Sequence, residues 1–135
     1  QIPFNIFDQR VLDGNFIKFM QGIDCEIHIR SIFLQGIFSK YFDNNIVMPK
    51  KIENQINYLK YLIKFYNVDL YVILLSFVLN YDFYEKCIFS VHTIEQLNFF
   101  INSIKIAKEL SLENINWNYL KCDSIEIVDP RLWNK

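Results

Sequence analysis

The sequence predicts an α/β fold with parallel strands, on three observations. Cys25–Arg30 alternates apolar and polar residues, with Cys25, Ile27 and Ile29 on one face, which is the two-residue period of a strand. Lys86–Val91 is a second short apolar run and reads as a strand buried on both faces. Segments of helical spacing separate and follow these runs. Strands that alternate with helices of this length are parallel neighbours joined by right-handed crossovers.

The elements follow in chain order. Gln1–Asn5 reads as the end of an extended segment, and Asp13-Gly14-Asn15 is a turn signal. Phe16, Ile17, Phe19 and Met20 form a short apolar helix face that stops at Gly22. After the 25–30 strand, Ser31–Ser39 continues as an apolar loop containing Gln35-Gly36, and Asp43-Asn44-Asn45 is a second loop. Pro49 opens a helix in which Ile52, Ile56, Leu59, Ile63 and Tyr66 share one stripe. Asn67 or Asp69 caps the next segment, Leu70–Asn80, whose length of eleven residues favours a buried helix over a strand. Beyond the 86–91 strand, Thr93-Ile94-Glu95-Gln96 fits the capping box, with Leu97, Ile101 and Ile104 marking the helix face. Ser111 is a candidate cap for a last helix bearing Trp117 and Leu120, and the tail ends Asp129-Pro130-Arg131-Leu132-Trp133.

Composition narrows the function. The net charge of −1 gives no basic face for nucleic acid. Three glycines and three prolines are few for an all-β chain of tight turns. Cys25, Cys87 and Cys122 are odd in number and widely spaced, which argues against a disulfide framework or zinc site and for reduced thiols in a cytoplasmic protein. The longest apolar run, Leu70–Leu79, is well short of the roughly 20 residues that span a bilayer, so no membrane partner is expected. The sequence opens on Gln1 in mid-pattern, and a fragment is the expectation.

In a parallel α/β fold ligands gather beyond the C-terminal ends of the strands. Two places qualify. One is Arg30, Ser31, Phe33, Leu34, Gln35 and Gly36; the other is His92 and Thr93 with the helix start behind them, where free N–H groups suit a phosphate. Each residue also has a plainer reading. His92 is an ordinary polar residue beside a helix cap, and His28 packs between sheet and helix. Arg30 requires an ion-pair partner or an anion. Glu26 is a structural or solvated carboxylate, and Trp117 and Trp133 are packing residues. Hydrolase serine motifs, glycine-rich phosphate loops and metal-ligand spacings are missing from the sequence.

Longer stretches resemble a known family. Glu26-Ile27-His28-Ile29-Arg30-Ser31-Ile32-Phe33-Leu34-Gln35-Gly36 resembles the seventh-strand region of bacterial aldo/keto reductases, and Gln1-Ile2-Pro3-Phe4-Asn5 the end of their sixth strand. Leu75–Leu79 followed by Val91–Leu97 resembles their late helix and eighth strand. Asp129–Trp133 resembles the ending of a bacterial branch often found with surface-sugar biosynthesis. The resemblance implies that residues 1–135 are the C-terminal part of a TIM-type (β/α)8 barrel, about its last three strands and their helices. It implies reduction of a small-molecule aldehyde or ketone, such as a sugar-derived carbonyl, with NADP or NAD. The resemblance places the family's catalytic tyrosine, lysine, aspartate and histidine on the first four strands, ahead of Gln1, so no catalytic residue is assigned.

Cofactor contacts carry over by position. Gln1 matches the glutamine on the nicotinamide carboxamide. Arg30 falls where many relatives place a ring against the nicotinamide. Ser31, Phe33, Gln35 and Gly36 match the loop along the pyrophosphate. Val91, His92, Thr93 and Gln96 match the segment that holds the adenosine end. Ser90 and Gln96 stand where NADP-preferring relatives often place Lys or Arg, and Phe100 stands where they place Asn. Each charge-assisted contact missing from a 2′-phosphate costs roughly 1.5–3 kcal/mol, which points to NAD or relaxed cofactor use. The competing expectations are a non-catalytic remnant or interaction module docking through its apolar helices, and another α/β-barrel enzyme.

Overall fold

The computed structural model describes residues 1–43, 47–110, 112 and 115–133. Nine regular elements are present among them: β1 (Ile2–Pro3), α1 (Phe16–Gln21), β2 (His28–Arg30), α2 (Ile37–Phe42), α3 (Glu53–Tyr66), α4 (Leu70–Leu79), β3 (Lys86–Ile88), α5 (Ile94–Glu109) and α6 (Ile125–Val128). The strands form one parallel sheet in the order β1-β2-β3. Ile2 lies opposite Ile29, and Ile29 opposite Cys87. The Glu85 side chain accepts from Ile27 N, and Glu85 N donates to Ile27 O, so the pairing begins one residue before the ladder.

The long helices form where their spacing predicts. Pro49 precedes a 3-10 turn (Lys50–Ile52) that leads into α3; of the predicted stripe Ile52, Ile56 and Leu59 are buried and Ile63 and Tyr66 half-buried, while Leu62 is buried beside them. Asn67 ends α3 in a left-handed conformation (φ 51°), which asparagine tolerates better than most residues. Asp69 is the cap of α4, its carboxylate accepting from Tyr71 N at 2.8 Å. From Leu70 to Val78 α4 is buried on every side except at Tyr71, as expected of a helix apolar all round. It turns 98° from the preceding helical stretch. Phe77 meets Phe4 at 5.0 Å between ring centroids and Trp117 at 5.5 Å, tying the helix to both ends of the chain.

The barrel expectation is overturned. Helix, 3-10 turns included, makes up 57% of the described residues, and the three strands hold only two, three and three residues. Strands this short make too few ladder bonds to close a cylinder, whose wall needs long, tilted, staggered strands. The apolar content that would line such a wall sits in α4 and in the faces of α3 and α5 packed on it. The fold is a mixed α/β arrangement with a small three-stranded parallel sheet.

Local expectations are corrected with it. β2 begins at His28, and Cys25 is exposed, although Ile27 and Ile29 are buried as the alternation implies. β3 ends at Ile88 and is not buried on both faces: Lys86 and Ile88 are exposed and Cys87 is half-buried. Burial pushes the Cys87 thiol up to about 11. The α1 face is partly open, with Phe19 64% exposed. Trp117–Leu120 is a 3-10 turn capped by Asn116, whose carboxamide accepts from Tyr119 N; Ser111 lies outside the described residues, as do Asn44 and Asn45 of the 43–45 loop.

The chain is closed by polar contacts. Gln9 donates from Nε2 to Ile6 O and Trp117 O, each at 2.8 Å, and Cys122 N donates to Phe7 O. Arg131 grips Asp129 through Nε and Nη2, and these bonds pull the Asp129 carboxyl down to about 2. A carboxyl depressed in the folded state stabilises it above the unfolded pKa near ~3.9 and loses that contribution as pH falls toward ~2. The thermal midpoint of the native chain should therefore fall more steeply between about pH 4 and pH 2 than that of Asp129→Asn. Parallel profiles for the two proteins would contradict this.

Candidate functional site

The C-terminal ends of β2 and β3 lie side by side, since Arg30 is opposite Ile88. The chain leaves these ends as two segments, 31–36 and 89–96, and they line one cleft of about 480 Å³. That volume is in the range of small-molecule sites. Ser31, Phe33, Gln35 and Gly36 form one wall, and Ser90, His92 and Gln96 the other.

The first wall has an unusual backbone. Ser31 (φ 62°), Leu34 (φ 44°), Gln35 (φ 53°) and Gly36 (φ 74°) are all left-handed. For a residue with a Cβ this costs about 1–2 kcal/mol, and such strain concentrates at ligand sites. Only Gly36 adopts it freely. Asn5 Nδ2 donates to Ser31 O at 3.1 Å, Leu34 N donates to the same oxygen at 2.9 Å, and Gly36 N donates to Phe33 O at 2.8 Å.

The second wall is the start of α5. Thr93 Oγ1 accepts from Gln96 N at 3.1 Å, and Gln96 Oε1 accepts from His92 N at 2.8 Å. This is a capping box shifted by one residue, with the return bond reaching the residue before the cap. Glu95 sits in the same first turn. Its carboxyl is held below the usual range by a hydrogen bond to its own backbone N–H and another from the Thr93 hydroxyl.

The cleft floor is aromatic. Phe33 stacks on Phe100 at 4.7 Å with 12° between the planes. It meets Tyr71 at 5.1 Å and Phe89 at 5.4 Å, both edge to face. Phe100 also meets Tyr71 at 5.4 Å and Phe89 at 5.2 Å. One ring each from the 31–36 wall, α4, the segment after β3 and α5 is thus locked into one cluster.

Six of the ten residues assigned to the cofactor therefore border one cleft: Ser31, Phe33, Gln35, Gly36, His92 and Gln96. Arg30 is exposed just outside it and donates to Ser31 Oγ at 3.1 Å; it has no ion-pair partner among the described residues. Thr93 shapes the wall as the helix cap, and Val91 is half-buried between Ser90 and His92. Gln1 precedes β1, is exposed, and is not among the cleft residues. His28 is half-buried with Nε2 3.1 Å from Glu26 Oε2, and Lys86 Nζ reaches the same oxygen at 3.4 Å. Among the described residues no His, Cys, Asp or Glu cluster could hold a metal, and no single helix is long and apolar enough to cross a membrane. Tyr71 and Phe89 were not assigned to the site from the sequence; their only signal there is an aromatic residue beside each strand or helix end.

No family model, curated protein or solved structure matches the chain.

The geometry gives two expected outcomes. Phe33→Ala removes one of the two rings that touch all the others in the cluster and should lower stability by about 3 kcal/mol. Thr93→Ala should cost about 1 kcal/mol through loss of the α5 cap. Urea unfolding measures both, and a cost for Phe33→Ala no larger than for Thr93→Ala would contradict the central place given to Phe33.

Proposed function

We propose that the cleft between segments 31–36 and 89–96 binds a nicotinamide dinucleotide, and that the chain is the cofactor-holding part of a reductase acting on an aldehyde or ketone. The observation that carries this reading is convergence. Of the ten residues assigned to one cofactor through their resemblance to aldo/keto reductases, Ser31, Phe33, Gln35, Gly36, His92 and Gln96 border a single cleft at the C-terminal ends of adjacent parallel strands.

The residues present fit such a group. The aromatic floor offers flat apolar surface to a planar ring. Ser31, Ser90, Gln35 and Gln96 supply uncharged hydrogen-bonding groups, and among the described residues no carboxylate pairs with Arg30 at the rim. When bound, the dinucleotide would supply hydride. The residues of this chain hold and orient it, and none is assigned the proton transfer.

The preferred form is NAD. The described cleft residues include no Lys or Arg, and the Glu95 carboxylate occupies the α5 N-terminus, where an added phosphate would otherwise gain most. A 2′-phosphate would meet a like charge and find no charge-assisted partner.

Calorimetric titration of the chain with NADH should show saturable 1:1 binding with Kd below about 1 mM, the equivalent of roughly −4 kcal/mol. NADPH should bind no more tightly than NADH. Glu95→Lys should shift the preference toward NADPH by about tenfold through one new charge-assisted contact. No saturable NADH binding would overturn the reading, and a native preference for NADPH would overturn its cofactor choice.

A further inference from the structure

We propose that Asn5 is the positioning residue of the cleft: its carboxamide holds Ser31 in the left-handed conformation that sets the wall 31–36. The inference rests on the reading of the cleft as a dinucleotide site. Asn5 is 0% exposed, and both ends of its amide are engaged. Oδ1 accepts from Phe7 N at 3.0 Å and Asp8 N at 2.9 Å, which fixes the tight turn that follows β1. With Oδ1 so engaged, Nδ2 faces across the sheet to Ser31 O at 3.1 Å.

The placement follows from the ladder. Phe4 N donates to Arg30 O at 3.0 Å, the last backbone bond linking β1 to β2. One residue further along each chain, the Asn5 side chain makes the next link in place of the backbone. Serine has no intrinsic preference for φ 62°, and a strained residue persists only where its surroundings over-determine it. The same Ser31 oxygen receives Leu34 N, so its direction also fixes the turn that begins the left-handed run 34–36. Asn5 is not a lining residue of the cleft. It acts on a ligand through Ser31 alone.

The test is a cycle on the full chain. Asn5→Asp keeps the acceptor for Phe7 N and Asp8 N and loses the donor to Ser31 O. Ser31→Gly makes the left-handed conformation free, so the clamp is no longer needed. Amide hydrogen exchange at Leu34 and Gly36 should quicken by about tenfold in Asn5→Asp relative to the amides of α4. The Kd for NADH should rise by about tenfold. In the Asn5→Asp/Ser31→Gly double variant, NADH affinity should return to within about threefold of Ser31→Gly alone, while a thermal midpoint lowered by the Asn5 change stays low. If Asn5→Asp does not unfold cooperatively, Asn5→Ser, which keeps a short acceptor for the turn, takes its place. Equal exchange at Leu34 and Gly36 in the variant and native chains overturns the proposal. So does an affinity loss of the same size with and without Ser31→Gly, because a purely structural Asn5 would act identically on both backgrounds. If the native chain binds no NADH, the cofactor reading fails, and the exchange result alone decides the clamp.

Discussion

The stacked pair Phe33–Phe100, with Tyr71 and Phe89 against its edges, is the contact on which the shape of the cleft and the sheet edge beside it depend. Three parallel strands of two or three residues cannot hold a sheet by their hydrogen bonds alone. The four rings join the segment leaving β2, the segment leaving β3, and the two helices α4 and α5. Each aromatic pair contributes about 0.5–1.5 kcal/mol beyond the area it buries, so the cluster is worth several hydrogen bonds of the ladder it supports. The stacked rings line the same cleft as polar Ser31, Gln35 and Gln96.

Much of the helical part was legible in the sequence, for local reasons. Ile52, Ile56 and Leu59 of the predicted stripe are buried, with Ile63 and Tyr66 half-buried; Asp69, one of the two candidate caps, caps α4, and Thr93 bonds the Gln96 amide as the capping box requires. Strand extent was not legible. The apolar run through Lys86–Val91 pairs only as far as Ile88, because a strand is defined by its neighbour and not by its own composition. The larger architecture was misread for the same reason. A resemblance spread over short segments fixes the order of elements, but closing a barrel depends on strand length, tilt and stagger, and these strands are too short for it.

The candidate site was legible in part. Both walls follow the ends of parallel strands, where ligand sites form, and the Thr93–Gln96 box announces one of them. The floor was legible only in Phe33 and Phe100, which the resemblance placed at the cofactor; Tyr71 and Phe89 come from other stretches of the chain and meet them only in the folded state. Nor was the strained wall. Gly36 is an expected left-handed residue, but Ser31, Leu34 and Gln35 give no sign of it in sequence, and Ser31 is held by a side chain 26 residues away.

In the proposed function, two chain segments distant in sequence form one receptor for one ligand. Backbone amide shifts of the isotopically labelled chain, followed by NMR through an NADH titration, test it most directly. Amides of 31–36 and 90–96 should move together along a single saturation curve while those of α3 stay fixed. Perturbation of one segment alone, or of neither, would contradict it.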